Sequence, residues 1–320
     1  MENFRYVIAN KKLFVIGGTL FVLPFFAFGY SDTTTHPALT QEILKFYNES
    51  YSYQQINNED AQEIIQGSVD EDSGTRWLYH FYDPVYNRGL VLDGSLTTEE
   101  LSLAFVAGGP KSKWKSSKDW AENTLLQGDR EYSLTAGILT DLFTSDNDYS
   151  WERAIYDYAW KDKKRGLQGL GHILHLLEDK TVPDHTRNDP HPHITELFSI
   201  TNASPYEVWT KKFDRTTINI KTLGEKPTEF DNLAIYFDAL ANQSNKNFFS
   251  EDTILSVKYT NPTIEKESIE ILNSGIGYKF AYAKDNDGRI YPVAKVIQDF
   301  ADKTKHYTLK DPENYVLGVY

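Results

Sequence analysis

Cysteine is missing from all 320 residues, and methionine occurs once. No disulfide framework, thiolate metal site, cysteine nucleophile or cysteine-borne lipid anchor can therefore be built. Positive charge is scarce: 33 Lys and Arg stand against 46 Asp and Glu, for a net charge of -13. That balance disfavours a non-specific grip on nucleic acid or on an anionic membrane, although bound cations can reverse a field locally. Long apolar runs are absent apart from residues 13–28, which Gly17, Gly18 and Pro24 interrupt. A spanning helix needs about 20 apolar residues, so this run is short for one. There is no convincing G-x-S-x-G or P-loop, no internal repeat and no low-complexity tract. What remains is an ordinary globular composition, 40% hydrophobic and 25% charged.

Arg5, Lys11 and Lys12 precede the apolar run, and Ala27-Phe28-Gly29 places small residues at alternate positions after it. This is the layout of an export signal and its cleavage site. Residues 1–29 read as that signal, with Tyr30 as the first mature residue and Ser31 as the alternative. A secreted or periplasmic protein is expected. Losing Glu2 and the three basic residues leaves the remainder at about -15.

Residues 30–320 read as one mainly α domain with a small β-hairpin excursion near the C-terminus. Thr35-His36-Pro37 opens a helix with proline expected at its first position. Asn58 caps a second helix, expected to stop at Gly67. Thr97 and Glu100 form a capping-box pair for a helix ending at Gly108 and Gly109. Further helices are expected over 132–143, 150–160, 166–179, 205–213 and 230–247. Alternation at Tyr278, Phe280 and Tyr282 before Asp285-Asn286-Asp287-Gly288 marks the hairpin. Asp311 and Pro312 read as the start of a helix that the chain cuts short.

Of the eight histidines, five fall between positions 172 and 193, interleaved with acids. His175 and Asp179 are four apart on one helix face and can share a cation, with His172 a turn earlier. Pro183 forces the chain out of helix, and His185 returns toward the helix end. Imidazole and carboxylate are the ligand set for zinc when thiolates are absent. His80 stands in HFYDP, and Asp70, Glu71 and Asp72 supply acids just upstream.

Together, His36 close behind the mature N-terminus, HFYDP at 80–84, LGHILHLLEDKTVPDH at 170–185 and SPYE at 204–207 resemble the bacterial zinc-dependent phospholipases C. Those enzymes share a trinuclear zinc fold with the fungal single-strand-specific nucleases. The resemblance spans most of 30–213. It implies three zinc ions: the first on His80, His175 and Asp72 (Asp70 in reserve), with Asp179 bridging to the second. His36 and the α-amine and carbonyl of Tyr30 would complete that second site, so signal cleavage would be an activation step. His185, Glu207 and either His191 or His193, with His191 preferred, would hold the third. Ala203 stands where the family has a histidine, and Glu178 where it usually has glycine.

The reaction implied is in-line hydrolysis of a phosphodiester by metal-activated water, with Asp72 and Asp179 at the reacting centre. A phospholipid head group suits the acidic chain better than a nucleic acid, with a transient membrane-surface contact and a monomeric protein expected. The alternatives are a single-strand nuclease using the same metals, or a non-catalytic metal-binding relative. His172 is expected to pack behind the ligands, Asp83 and Pro84 to shape a turn, and His306 to lie on the surface. Glu196 is a poor substitute for Glu207, and Trp77, Trp151 and Trp160 are expected in the core.

Overall fold

A computed structural model describes residues 33–73, 76–92, 113–128, 148–190, 193–196, 199–201, 204–211, 228–284, 288–299 and 303–310. The export signal expected at 1–29, Tyr30, His191, the helices expected over 97–109 and 132–143, and the helix start expected at Asp311 lie outside these residues. In chain order the helices are α1 (Thr35–Ser50), α2 (Asn58–Asp70), α3 (Ser117–Glu122), α4 (Thr124–Gly128), α5 (Trp151–Tyr156), α6 (Lys163–Glu178), α7 (Pro183–Thr186), α8 (Pro205–Thr210) and α9 (Leu233–Asn247). Among the described residues no helix is long and apolar enough to cross a membrane.

α2 is capped by Asn57, whose side chain accepts from the Asp60 amide, one residue earlier than expected. It also runs past Gly67 instead of stopping there, and the reason is tertiary. α2 packs on α6 so closely that a Cβ at Gly67 would collide with the Gln168 backbone, and one at Gly171 with the Ile64 carbonyl. Gly67 is thus a contact point between two backbones rather than a helix end. α6 itself starts at Asp162, whose side chain accepts from the Arg165 amide.

Two tryptophans expected inside are outside: Trp151 is 37% and Trp160 82% exposed. They lie on α5 and on the π-helical turn Asp157–Lys161 that follows it. The inward side of that turn is taken by Ala154 and the buried Asp157, which is ion-paired to Arg153 at 2.9 Å and to Arg165. With a carboxylate and its arginines filling the space, the rings face solvent. Trp77 is half-buried against Leu78, Phe81, Leu90 and Leu92.

The expectation of a mainly α domain with a small hairpin is also corrected. Besides a short hairpin, β1 (His193–Glu196) with β2 (Ser199–Thr201), the chain builds a four-stranded antiparallel meander. Its strands are β3 (Ile264–Ile271), β4 (Gly277–Lys284), β5 (Ile290–Gln298) and β6 (Lys305–Thr308). Phe280, Tyr282, Tyr291, Val293 and Val296 form its core with Phe249 and Leu309. The inner strands β4 and β5 match the expected hairpin. The outer strands carry charge, as edges do: Glu267 on β3 pairs with Lys279 and, at 3.0 Å, with Lys305 on β6. Their polar composition conceals them in the sequence.

Arg187 joins this sheet region to the helices. Its buried guanidinium donates to the carbonyls of Asn245 (2.8 Å) and Phe248 (2.6 Å) and to Thr253 Oγ1 (2.7 Å). Burial pushes it down to about 10.

Candidate metal centre

The ends of short elements carry the donor side chains. His36 lies in the first turn of α1, and Asp72 lies two residues past α2. His80 follows the 3₁₀ turn Arg76–Tyr79. His175 occupies the last turn of α6, and Asp179 is its C-cap. Pro183 opens α7, which bears His185. Glu207 is the third residue of α8, where it forms a capping box with Ser204. The box uses one oxygen of Glu207: Oε2 accepts from the Ser204 amide at 2.7 Å, while Oε1 lies 3.4 Å from His185 Nε2.

These side chains converge on Asp179. Its Oδ2 lies 3.0 Å from His80 Nδ1 and 3.6 Å from His175 Nε2. Its Oδ1 lies 3.5 Å from His36 Nε2 and 3.4 Å from His185 Nδ1. Asp72 Oδ1 is 3.6 Å from both His80 Nδ1 and His175 Nε2. The rings of His36 and His175 stack with centroids 3.5 Å apart. None of the seven residues is more than 6% exposed.

The spacing is informative. Most of these separations exceed the N–H···O range of about 2.7–3.2 Å. They match the edge of a tetrahedron around a cation with ligand bonds of about 2.0–2.1 Å, which is about 3.4 Å. His175 Nε2 and both oxygens of Asp179 are buried and make no hydrogen bond of acceptable geometry. Buried polar atoms are normally satisfied, so a cluster arranged this way fits ions among its donors. Two groups, His36 with His175 and Asp179, and Asp72 with His80 and His175, can each hold a metal ion.

Protonation states favour the same role. Burial raises the Asp179 carboxyl, but the imidazoles of His185, His175 and His80 outweigh it and hold it well below the usual range. Burial, reinforced by the charge of His36, drives His175 well below its ordinary value. Burial likewise lowers His185. With Asp179 held anionic and His175 and His185 pushed toward the neutral form, these three groups are in the state a cation binds. His36 differs: burial acts downward, yet the carboxylates of Asp179 and Glu178 on either side lift it to about 10.

No family model matches the chain, and neither does any curated protein or solved structure. Of the residues singled out from sequence, His36, Asp72, His80, His175, Asp179, His185 and Glu207 come together. Tyr30 and His191 lie outside the described residues. Asp70 is not among the converging groups and hydrogen-bonds Gln66 on the surface instead.

The surroundings hold Glu71, Arg76 and Lys180, to which sequence reasoning assigned no role of their own, beside His172, Asp83 and His306, which lie as expected. Glu71 is fully buried behind His80 and accepts from Arg76 Nε (2.7 Å), Trp120 Nε1 (3.2 Å) and His172 Nδ1 (2.5 Å). Burial opposes its ionisation, but Arg76 and His172 prevail and hold it at about 2. His172, stacked on Tyr149, thus serves this network rather than the donor set. Lys180 is also fully buried and donates to the His80 carbonyl; burial lowers it to about 7. Asp83 ties its own turn by accepting from Arg88 and Tyr259, and His306 is exposed. The acidic run at 70–72 was a visible signal for Glu71. Nothing in the sequence singles out Arg76.

Proposed function

We propose that this chain is an exported zinc-dependent phosphodiester hydrolase of phospholipase C type. The reading rests on one observation: the imidazoles of His36, His80, His175 and His185 surround the buried carboxylate of Asp179, with Asp72 beside His80 and His175 and Glu207 beside His185. Such a donor set has the composition of a multi-zinc site without thiolates.

Asp72, His80 and His175 would hold the first ion, with one Asp179 oxygen toward His80 and His175 and the other toward His36. The freed amine of Tyr30 would complete the second site. Glu207 and His185 would begin the third, with His191 or His193 as the further donor. Bound zinc would supply Lewis acidity and a lowered water pKa. The protein's own part is to keep Asp179 anionic between two donor groups at fixed separation and to exclude bulk water from it. Asp72 is first a ligand here, and its carboxylate would be able to double as a proton acceptor. The charge of about -15 left after signal removal suits a zwitterionic phospholipid head group better than a polyanion.

The test is hydrolysis of phosphatidylcholine vesicles against single-stranded DNA by the signal-processed protein loaded with zinc. Lipid diesterase activity that is lost on chelation and in His175→Ala is expected. Cleavage of DNA alone would favour the nuclease. The near-complete burial of every donor supports a second reading, a metal-binding protein without turnover. Full zinc occupancy with no hydrolysis of either substrate would establish that reading and end the first.

A further inference from the structure

Glu178 precedes the central Asp179 and is buried, yet it is not among the groups arranged to hold an ion. Its two oxygens have separate partners on α1. Oε2 accepts from His36 Nδ1 at 2.6 Å, and Oε1 accepts from Thr40 Oγ1 at 2.8 Å. His36 and Thr40 are four apart, so they project from one face of α1 and grip a single carboxylate.

The consequence is chemical as well as mechanical. A neutral imidazole has one N–H and one lone pair, and whichever nitrogen donates decides which is left to ligate. With Nδ1–H committed to Glu178, the nitrogen left for a metal is Nε2, which faces Asp179 at 3.5 Å and gives up its proton when it ligates. The stacked ring of His175 is held at the same atom, but by a neutral acceptor, the Ser68 carbonyl at 2.6 Å from Nδ1. The two rings therefore have outer partners of different charge. A carboxylate behind an imidazole orients it and makes it a stronger ligand than a carbonyl does.

We propose that Glu178 is a positioning residue that selects Nε2 of His36 as a metal ligand and strengthens it, with Thr40 fixing the carboxylate. The inference rests on the metal reading above. It makes Glu178 responsible for the affinity of one ion, the one His36 holds, and not of the others.

The experiment is zinc and cobalt(II) titration of the whole exported protein against a chelator of known affinity. Wild type, Glu178→Gln, Glu178→Ala and Thr40→Val are compared, with melting of each metal-free protein as the fold control. Gln keeps an acceptor at the same place but loses the charge, whereas Ala loses both. Glu178→Gln should weaken one equivalent of metal by about 10- to 100-fold and leave the remaining equivalents unchanged. Glu178→Ala should weaken that equivalent at least as much, and Thr40→Val less. The cobalt spectrum should change only for the affected equivalent. If either Glu178 variant fails to fold, Thr40→Val, which keeps the charge, decides: an unchanged affinity then counts against the proposal. Wild type that loads metal while the Glu178 variants load it equally tightly overturns the inference alone. A lowered melting temperature with unchanged affinities does so too, because it reveals a purely structural clasp. Wild type that takes up no metal overturns the reading of the site, and this inference with it.

Discussion

Arg76 shows how much of the centre depends on a side chain that touches no donor. Its guanidinium holds Glu71 at 2.6 Å and lies 5.2 Å over the ring of Trp120. Glu71 in turn is the acid behind His80, with Oε1 3.8 Å from His80 Nε2. Removing the cation leaves a buried carboxylate with reduced compensation. Arg76→Met is therefore expected to destabilise the fold by about 3–5 kcal/mol, read as a shift in the denaturant midpoint. Adding Glu71→Gln to that variant should recover part of the loss, since the uncompensated charge goes with it. If the double variant is as unstable as the sum of the single ones, the pair is not the unit described.

At the scale of elements, the decisive contact is α2 against α6. Each helix brings part of the centre: α2 ends just before Asp72, and α6 carries His175 and ends at Asp179. Their separation is set where Gly171 meets the Ile64 carbonyl and the Ser68 amide. The same segment of α2 supplies the Ser68 carbonyl that holds His175 Nδ1. Gly171→Ala should push the helices apart at a cost of about 1–3 kcal/mol. It should also weaken metal binding by about 10-fold or more, because His175 loses its outer partner. Thermal melting and chelator competition on the same sample check both. A loss of stability with unaltered metal affinity would separate the packing from the site.

The whole molecule has a helical part carrying the donors and a sheet region attached through α9 and Arg187. Because the donors come from distant stretches of chain, unfolding disperses them, and any ion they hold stabilises the native state. Free zinc at about 100 times its dissociation constant should add about 2.7 kcal/mol per site. A rise in melting temperature with zinc, reversed by chelator, is the expected result. His175→Ala should abolish most of it, since His175 belongs to both candidate groups. An unshifted melting temperature in saturating zinc would mean the donors are satisfied by one another.

The donor residue types and their order were legible in the chain, because local rules act over a few residues. The four-residue spacing of His175 and Asp179 follows from helix geometry; Pro183, expected to throw the chain out of helix, instead opens the short helix that bears His185. The inner strands of the sheet also announce themselves by alternation. Only the fold decided that Gly67 lies within a helix and that Trp160 points outward. It likewise paired Glu178 with His36 across 142 positions. The outer strands β3 and β6 became strands through their neighbours, since their own composition is polar. These outcomes depend on which surfaces meet when helices pack, and no single stretch of sequence encodes its partner's approach.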